Sequence, residues 1–235
     1  PVPPKKIPRA LVSVCVWRDI SVPTTLALQR LLAMPRVHFS VTYQMNDALI
    51  DRARNTSATF FLLNPRLGDV LLFVDSDMIF SPEDACLLVE DCMAGYDVVG
   101  GVYATRSQER CRLALSLPPG TEFTIGEGKP VPALAVSTGF LAIHRKVLEK
   151  LASKMALIRS GQNSFYPFFL PMIARDPDGI LDYKSEDWAC SYRATKAGFK
   201  LWADPRPIIG HLGVKGYWVA DVKVTTEGSM TMVSE

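Results

Sequence analysis

Apolar residues follow two kinds of pattern along the first hundred positions of this chain. Short Val-rich runs, typical of buried strands, alternate with longer segments in which apolar residues recur every three or four positions, as on one face of a helix. The runs predict strands at 10–17, 37–43, 70–74 and 97–104, and the segments between them predict helices at 24–34, 46–63 and 81–95. This alternation favours an α/β domain whose mostly parallel sheet carries helices on its faces.

Local start and stop signals support two of these helices. Ser81 followed by Pro82 and Asp84 is a strong helix start, and Gly95 ends the same segment. Asn46 is placed to cap the helix predicted at 46–63. These signals predict that the two helices begin at Ser81 and Asn46.

The second half of the chain is less regular. The pattern predicts a strand at 110–117, two short strands within 133–144 that are interrupted at 137–139, helices at 145–155 and 185–198, and a returning strand within 199–213. No repeat or low-complexity linker divides the chain, so one domain is expected. We predict an extended arm at 1–9, the domain at 10–213, and a tail at 214–235 that is a possible lid over a ligand.

Composition narrows the class of protein. Of the 235 residues 48% are hydrophobic, which is enough for a sizeable core, and the net charge of +2 does not favour nucleic acid or a membrane surface as a partner. No apolar run approaches about 18 residues, so no membrane span is expected. The cysteines form no C-x-x-C pair and are expected to be buried free thiols of a reducing, cytoplasmic compartment. They are Cys15, Cys86, Cys92, Cys111 and Cys190.

Two carboxylates end the strand in "LLFVDSDMIF" (71–80). Random placement of 15 aspartates would produce a D-x-D pattern roughly once, so the pattern alone is weak. Asp75 and Asp77, however, lie at the carboxyl end of a buried strand, where open α/β sheets bind ligands. The second such pair, Asp176 and Asp178, lies in a Pro/Gly segment and is interpreted as a turn.

Oxygen ligands of this kind suit Mg²⁺ or Mn²⁺, and an ion held there would stabilise the charge of a leaving diphosphate. The alternative is structural: Asp75 caps a loop, and Asp77 pairs with an arginine. Further along, Glu186 and Asp187 begin a helix, where carboxylates also serve as simple caps. His211 lies in "GHLG", whose glycines allow close approach of a ligand, whereas the other two histidines lie in strand-like runs and are expected to be structural.

The order "VDSDM", "STGFLAIHRKVLEKL", "SEDWACSYRATKAGFKLWAD" and "GHLG" resembles that of metal-dependent, D-x-D glycosyltransferases of the GT-A fold, over roughly residues 8–213. The resemblance implies a Rossmann-like fold with a divalent metal, Mn²⁺ or Mg²⁺, held by Asp75, Asp77 and His211. It implies that the first strand's end lines the nucleobase, and that Glu186 and Asp187 are catalytic and face the acceptor. It assigns donor binding to Cys15, Val16, Trp17, Asp51, Arg54, Asp75, Ser76, Asp77, Thr138 and Gly139. For Asp51 and Arg54 a surface ion pair at i, i+3 is an equal alternative.

The function implied is transfer of a sugar from a UDP- or GDP-linked donor to a hydroxyl of a glycan, a protein or another acceptor. In an inverting enzyme Asp187 would take the acceptor proton; the sequence leaves the stereochemistry open. One rival is a nucleotidyltransferase, but "WRDISVPTT" after the first strand lacks the Gly-rich loop that would hold a triphosphate. The other rival is a sugar- or nucleotide-binding module without catalysis.

Overall fold

The computed structural model describes residues 7–106, 112–176, 178–213, 216–219, 222–224 and 230–232. The α-helices are Val22–Leu31 (α1), Ile50–Leu63 (α2), Pro82–Met93 (α3), Arg145–Ala152 (α4) and Glu186–Lys196 (α5), with a short 3₁₀ helix at Pro65–Leu67. The strands are Arg9–Val16 (β1), His38–Met45 (β2), Val70–Asp75 (β3), Met78–Ile79 (β4), Val98–Gly101 (β5), Leu115–Ser116 (β6), Val131–Ala133 (β7), Ala135–Val136 (β8), Phe140–His144 (β9), Ile158–Ser160 (β10), Asn163–Phe165 (β11), Met172–Arg175 (β12), Leu181–Lys184 (β13), Leu201–Asp204 (β14), Gly210–Leu212 (β15), Gly216–Trp218 (β16), Val222–Val224 (β17) and Met230–Met232 (β18).

Seven strands form the central sheet in the order β2-β1-β3-β9-β5-β14-β7. The strands β2, β1, β3, β5 and β14 run in one direction, and β9 and β7 run against it. The prediction of a single α/β domain with a mostly parallel sheet is confirmed. The sequence pattern did not show that β9 inserts between β3 and β5, because strand order depends on contacts between distant parts of the chain.

Apolar side chains cover both faces of this sheet. Along β1 the residues alternate, so that Ala10, Val12 and Val14 pack under α1 and α3, whereas Leu11 packs with α2, α4 and α5 on the opposite face. Helices on both faces bury β1 and β3 almost completely, which explains their continuous apolar composition, whereas the edge strand β2 is only partly buried. The sheet is therefore a rigid support for the residues at its carboxyl edge.

The helix starts agree only in part with the prediction. Ser81 and Asp84 form a reciprocal capping box at α3: the Asp84 N–H donates to Ser81 Oγ at 3.2 Å, and the Ser81 N–H donates to Asp84 Oδ2 at 2.7 Å. Asn46 does not cap α2, which begins four residues later at Ile50. Asn46 instead has a positive φ of 61° and donates its N–H to Val16 O, because the turn after β2 needs the left-handed conformation that asparagine tolerates.

Arg145 anchors the C-terminus of α2. Its buried guanidinium donates to Phe61 O at 2.9 Å, to Gly68 O at 2.8 Å and to two further carbonyl oxygens of that turn. Its charged group also lies 4.0 Å from the centre of the Phe61 ring. These contacts satisfy carbonyls that a helix end otherwise leaves unpaired, and they hold α2 in place relative to β3.

Two strand predictions in the second half are corrected. Of the strand predicted at 110–117, the described residues contain only Leu115–Ser116, and positions 110 and 111 lie outside them. The strand predicted within 199–213 is divided into β14 and β15, because Pro205 and Pro207 lack the N–H groups that a continuous ladder needs. The second D-x-D pair lies in the turn between β12 and β13, where the Gly179 N–H donates to Asp176 O at 3.0 Å, so its interpretation as a turn is confirmed.

The described cysteines are buried free thiols: Cys15, Cys86, Cys92 and Cys190. Cys111 lies outside the described residues, and the cytoplasmic compartment stays a prediction. No helix among the described segments is long and apolar enough to cross a membrane.

The predicted tail begins within a small sheet. Strand β16 pairs with β15, which pairs with β4, so Tyr217 is buried in this sheet and Trp218 is 37% exposed. The remaining tail includes positions outside the described residues, as does the start of the predicted arm at 1–6. The domain boundaries and the lid therefore stay predictions.

Candidate active site

Two adjoining cavities lie at the carboxyl edge of the sheet. The first, about 410 Å³, is lined by Trp17 and the end of β1, and we call it the Trp17 lobe. The second, about 370 Å³, reaches the start of α5, and we call it the Glu186 lobe. Arg54, Asp75 and Arg106 line both lobes, so the two form one continuous cleft.

All but one of the predicted site residues line this cleft. The Trp17 lobe contains Cys15, Val16, Trp17, Arg54, Asp75, Ser76 and Asp77, and the Glu186 lobe contains Arg54, Asp75, Thr138, Gly139, Glu186, Asp187 and His211. Asp51 lines neither lobe. Burial raises the pKa of the Cys15 thiol to about 12, so this side chain is a neutral part of the wall.

Arg54 lies at the centre of the cleft, where α2 approaches the end of β3. Its side chain is 5% exposed and pairs with Asp75 at 3.0 Å and with Glu186 at 2.6 Å. Burial opposes its charge, but the two carboxylates outweigh burial and raise the pKa of Arg54. The structure therefore does not support the alternative surface pair of Arg54 with Asp51.

Asp77 lies between a cation and an imidazole. Its Oδ2 is 2.7 Å from the Arg106 guanidinium, and its Oδ1 is 3.5 Å from His211 Nε2. Burial favours the protonated carboxyl, but His211 and Arg106 more than offset this and hold the pKa of Asp77 below its usual range. Asp77 is therefore ionised at neutral pH.

The orientation of the His211 ring bears on metal binding. Its Nδ1 is 3.1 Å from Ala104 O, so in the neutral ring Nδ1 donates that hydrogen bond and Nε2 presents a lone pair. This Nε2 is buried and has no hydrogen-bond partner among the described residues, although it faces a carboxylate oxygen of Asp77. A positive charge between these two atoms is favourable: either the proton of an imidazolium, which would lower the pKa of Asp77 as described above, or a divalent metal ion, for which a carboxylate oxygen and an imidazole nitrogen are suitable ligands.

The predicted three-ligand set is not gathered in this arrangement. Asp75 directs both carboxylate oxygens to Arg54, at 3.0 and 3.2 Å. Within the part of the chain that the structure describes, no group of three or more His, Cys, Asp or Glu side chains is close enough to hold a metal. Metal binding by Asp75, Asp77 and His211 together stays a prediction.

Gly139 brings the backbone close to Asp75. Its N–H donates to Tyr103 Oη at 3.0 Å, and its carbonyl accepts the Asp75 N–H at 2.9 Å. A Cβ at this position would lie 2.5 Å from Tyr103 Oη and 3.2 Å from Asp75 Oδ2. A side chain would therefore collide with the floor of the Glu186 lobe, which explains the glycine.

The two acidic residues of α5 have different environments. Glu186 Oε1 is occupied by Arg54, and burial raises the pKa of Glu186 although Arg54 opposes this. Asp187 Oδ1 accepts from Ser185 Oγ at 2.5 Å and from the Trp188 N–H at 2.8 Å, a local arrangement that fixes the carboxylate. Its second oxygen accepts no hydrogen bond from the described residues, and Asp187 lines the Glu186 lobe.

Sequence reasoning missed Tyr103 and Arg106. Tyr103 is buried, supports Gly139 and packs edge-on against the His211 ring at 5.5 Å, and Arg106 pairs with Asp77. Both follow β5, whose carboxyl end lies at the same edge of the sheet as that of β3. That shared edge was the available signal, because parallel strands place their carboxyl ends together.

Comparison with known proteins identifies the fold. No protein-family model and no curated protein matches the sequence. The solved structure of GalNAc-T7 with UDP, GalNAc and Mn²⁺ is similar over 89% of this chain, with a TM-score of 0.51 and 13% identity. The fold is GT-A-like.

This chain matches 45% of the GalNAc-T7 chain, so it spans just under half of that protein's length. The crystal structure of A197 from STIV is similar over 97% of this chain and 95% of its own, with a TM-score of 0.53 and 16% identity. At these identities the likeness shows the GT-A-like architecture, and the chemistry of this chain is argued from its own residues.

Proposed function

We propose that this protein is a metal-dependent glycosyltransferase that moves a sugar from a nucleoside-diphosphate sugar, UDP- or GDP-linked, to a hydroxyl of a glycan, a protein or another acceptor. The observation that supports this most strongly is the Asp77–His211 pair, in which a carboxylate oxygen faces, across 3.5 Å, an imidazole nitrogen that has no hydrogen bond within the described part of the chain. The solved structure of GalNAc-T7 with UDP, GalNAc and Mn²⁺, whose fold is similar, supports this class of function by analogy of fold.

The charge of the cleft supports a cation as cofactor. Among the described residues five carboxylates and two guanidinium groups line the two lobes, so with a neutral histidine the cleft carries a net negative charge. A diphosphate entering it alone would be repelled, whereas a divalent ion would compensate both the carboxylates and the phosphates. Mn²⁺ suits a mixed nitrogen and oxygen ligand set better than Mg²⁺ does.

In this proposal Asp77 and His211 hold the metal, and Asp75 either joins them or stays with Arg54 beside it. The bound ion would stabilise the negative charge that develops on the leaving diphosphate. Arg54 keeps two carboxylates in place at the junction of the lobes, where the diphosphate would lie in this proposal.

The two lobes suggest where each part of the donor would bind. The Trp17 lobe would take the nucleoside, with the 51% exposed Trp17 beside the base, and the Glu186 lobe would take the sugar against Thr138 and Gly139. Within the segments that the structure describes, Thr138 Oγ1 is buried without a hydrogen-bond partner, as are Arg54 Nε and His211 Nε2. Buried polar atoms are normally bonded, so three such atoms at one lobe favour a polar ligand there.

Asp187 is the proposed general base of an inverting reaction. Its free oxygen would accept the proton of the acceptor hydroxyl, while its other oxygen is held by Ser185 and the helix backbone. Glu186 is the weaker candidate because its carboxylate is already paired with Arg54. In a retaining reaction Asp187 would orient the acceptor instead.

The buried free thiols among the described residues are in keeping with a cytoplasmic location, which we also propose.

A thermal-shift screen with UDP, GDP, CDP and ADP tests this proposal, each with and without Mn²⁺. A ligand present at a hundredfold over its Kd adds about 2.7 kcal/mol of stability. For a chain of this size that corresponds to roughly 5–10 °C in Tm. We expect UDP or GDP to produce this shift with Mn²⁺, and Asp77→Asn to remove the Mn²⁺-dependent part.

Two outcomes would favour the rivals. Metal-dependent nucleotide binding without any donor hydrolysis or transfer would indicate a binding module. A response to nucleoside triphosphates together with sugar phosphates would indicate a nucleotidyltransferase. The absence of a shift with every nucleoside diphosphate in Mn²⁺ would contradict the proposal itself.

A further inference from the structure

Arg106 differs from the other arginine of the cleft in its freedom to move. Arg54 is 5% exposed and paired with two carboxylates, so it is fixed. Arg106 is 51% exposed, and its guanidinium contacts Asp77 Oδ2 at 2.7 Å. Its stem passes beside Gly213: a Cβ on this glycine would lie 3.3 Å from Arg106 Cδ. A half-exposed, flexible cation thus lies across the junction of the two lobes.

Asp77 directs Oδ2 to the Arg106 guanidinium and Oδ1 to His211, so a metal ion at Oδ1 would share the charge of one carboxylate with Arg106. A divalent cation between Asp77 and His211 would lie beside the carboxylate that Arg106 contacts, and the two positive groups would repel each other. The ion pair also draws negative charge away from the oxygen that faces His211. In the arrangement observed, Arg106 is therefore a competitor for the charge of Asp77.

The position of Arg106 gives it a second partner once a donor is bound. It lines both lobes, so it borders the place where a diphosphate would pass from the Trp17 lobe to the Glu186 lobe. A guanidinium binds phosphate oxygens through two parallel N–H groups, and such charge-assisted bonds are stronger than neutral ones. The flexible stem allows this exchange, whereas the buried Arg54 does not.

We propose that Arg106 is an exchanging clamp: it pairs with Asp77 in the empty cleft and transfers to the diphosphate when metal and donor bind. This inference rests on the proposed function, because it takes the ligand to be a metal–diphosphate. It makes one prediction that a simple structural role would not make. Removal of Arg106 should change metal affinity and diphosphate affinity in opposite directions.

The test compares wild type, Arg106→Ala, Arg106→Lys and Arg36→Ala. Arg36 pairs with Glu90 at the surface, so its removal controls for the lost positive charge. Free Mn²⁺ is followed by electron paramagnetic resonance, first with Mn²⁺ alone and then with inorganic pyrophosphate. Since half-exposed ion pairs are weak, we expect Arg106→Ala to bind Mn²⁺ alone about two- to fivefold more tightly.

In the second titration Arg106→Ala should bind Mn²⁺–pyrophosphate about tenfold or more weakly, the scale of a lost charge-assisted hydrogen bond. Arg106→Lys should retain part of this affinity, because lysine keeps the positive charge but lacks the two parallel N–H groups of a guanidinium. Arg36→Ala should match wild type in both titrations.

An unchanged or weaker affinity of Arg106→Ala for Mn²⁺ alone would overturn the exchange, as would an unchanged affinity for Mn²⁺–pyrophosphate. A fall in both affinities together would show that Arg106 only supports the shape of the cleft. Failure of the proposed function has a different signature: wild type would bind Mn²⁺–pyrophosphate in the manner described but no nucleoside diphosphate. If wild type bound neither, both proposals would fall.

Discussion

Arg54 offers the sharpest test of how the cleft is built. Replacing it with Met keeps much of the stem but leaves Asp75 and Glu186 without their shared cation. Removing one partner of a buried ion pair destabilises a protein by about 3–5 kcal/mol. Asp75 and Glu186 retain 29% and 20% exposure, so we expect the low end, about 3 kcal/mol at pH 7. In a chain of this size that lowers Tm by roughly 6–12 °C.

The loss of stability in Arg54→Met should depend on pH in a defined direction. Burial raises the pKa of Glu186, and Arg54 opposes this rise, so the Arg54→Met variant should have a still higher pKa at Glu186 in the folded state. A carboxyl group whose pKa is higher in the folded than in the unfolded state destabilises the folded protein at high pH, where the group is ionised. At a pH low enough to protonate the group in both states, this destabilisation is absent. The loss of unfolding free energy in Arg54→Met, relative to wild type, should therefore become smaller as the pH falls through the acidic range. At pH 7 the double variant Arg54→Met, Glu186→Gln should be more stable than Arg54→Met alone.

Urea unfolding of wild type, Arg54→Met and Arg52→Met measures this effect. Arg52 is the matched control, since it pairs with Asp47 but is 41% exposed, and its loss should cost much less stability than the loss of Arg54. Equal stability of Arg54→Met and Arg52→Met would refute the reasoning. So would a deficit of Arg54→Met that grows as the pH is lowered.

Three further substitutions test individual roles. Asp187→Asn should lower kcat by about 10² and leave donor affinity nearly unchanged; a loss confined to donor binding would make Asp187 a donor contact. Gly139→Ala should cost about 1–3 kcal/mol in urea unfolding, because the new Cβ would lie 2.5 Å from Tyr103 Oη. Adding Tyr103→Phe should restore part of that loss, and no recovery would indicate strain elsewhere. His211→Ala should raise the Mn²⁺ concentration needed for half-maximal rate, and superimposable curves would remove His211 from the metal site.

The elements of the fold that depend on local sequence were predictable. The Ser81–Asp84 capping box and the apolar run before Asp75 are each encoded within a few residues, and both are present in the structure. The antiparallel insertion of β9 was not predictable, because it depends on which distant edges pair. The split of β14 from β15 was signalled by Pro205 and Pro207, and the pattern of apolar residues obscured it.

The sequence predicted most of the residues that line the candidate site, but it did not predict which of them contact each other. The D-x-D end of β3 pointed to the edge of the sheet where the cleft lies. Arg54 was named, but its pairing with Glu186 joins residues 132 positions apart, which no local pattern encodes. Tyr103 and Arg106 were missed because they form no motif, and they acquire a role only through their neighbours Gly139 and Asp77.

The central claim is that Asp77 serves a metal–diphosphate complex. The most direct measurement is the rate at which wild type, Asp77→Ala and Asp178→Ala release nucleoside diphosphate from the sugar donor identified by the screen, in Mn²⁺ and after chelation with EDTA. Asp178 belongs to the exposed turn between β12 and β13 and carries the same substitution away from the cleft. We predict turnover by wild type and Asp178→Ala in Mn²⁺ and none by Asp77→Ala or after chelation. Turnover by a folded Asp77→Ala at the wild-type rate would contradict the account.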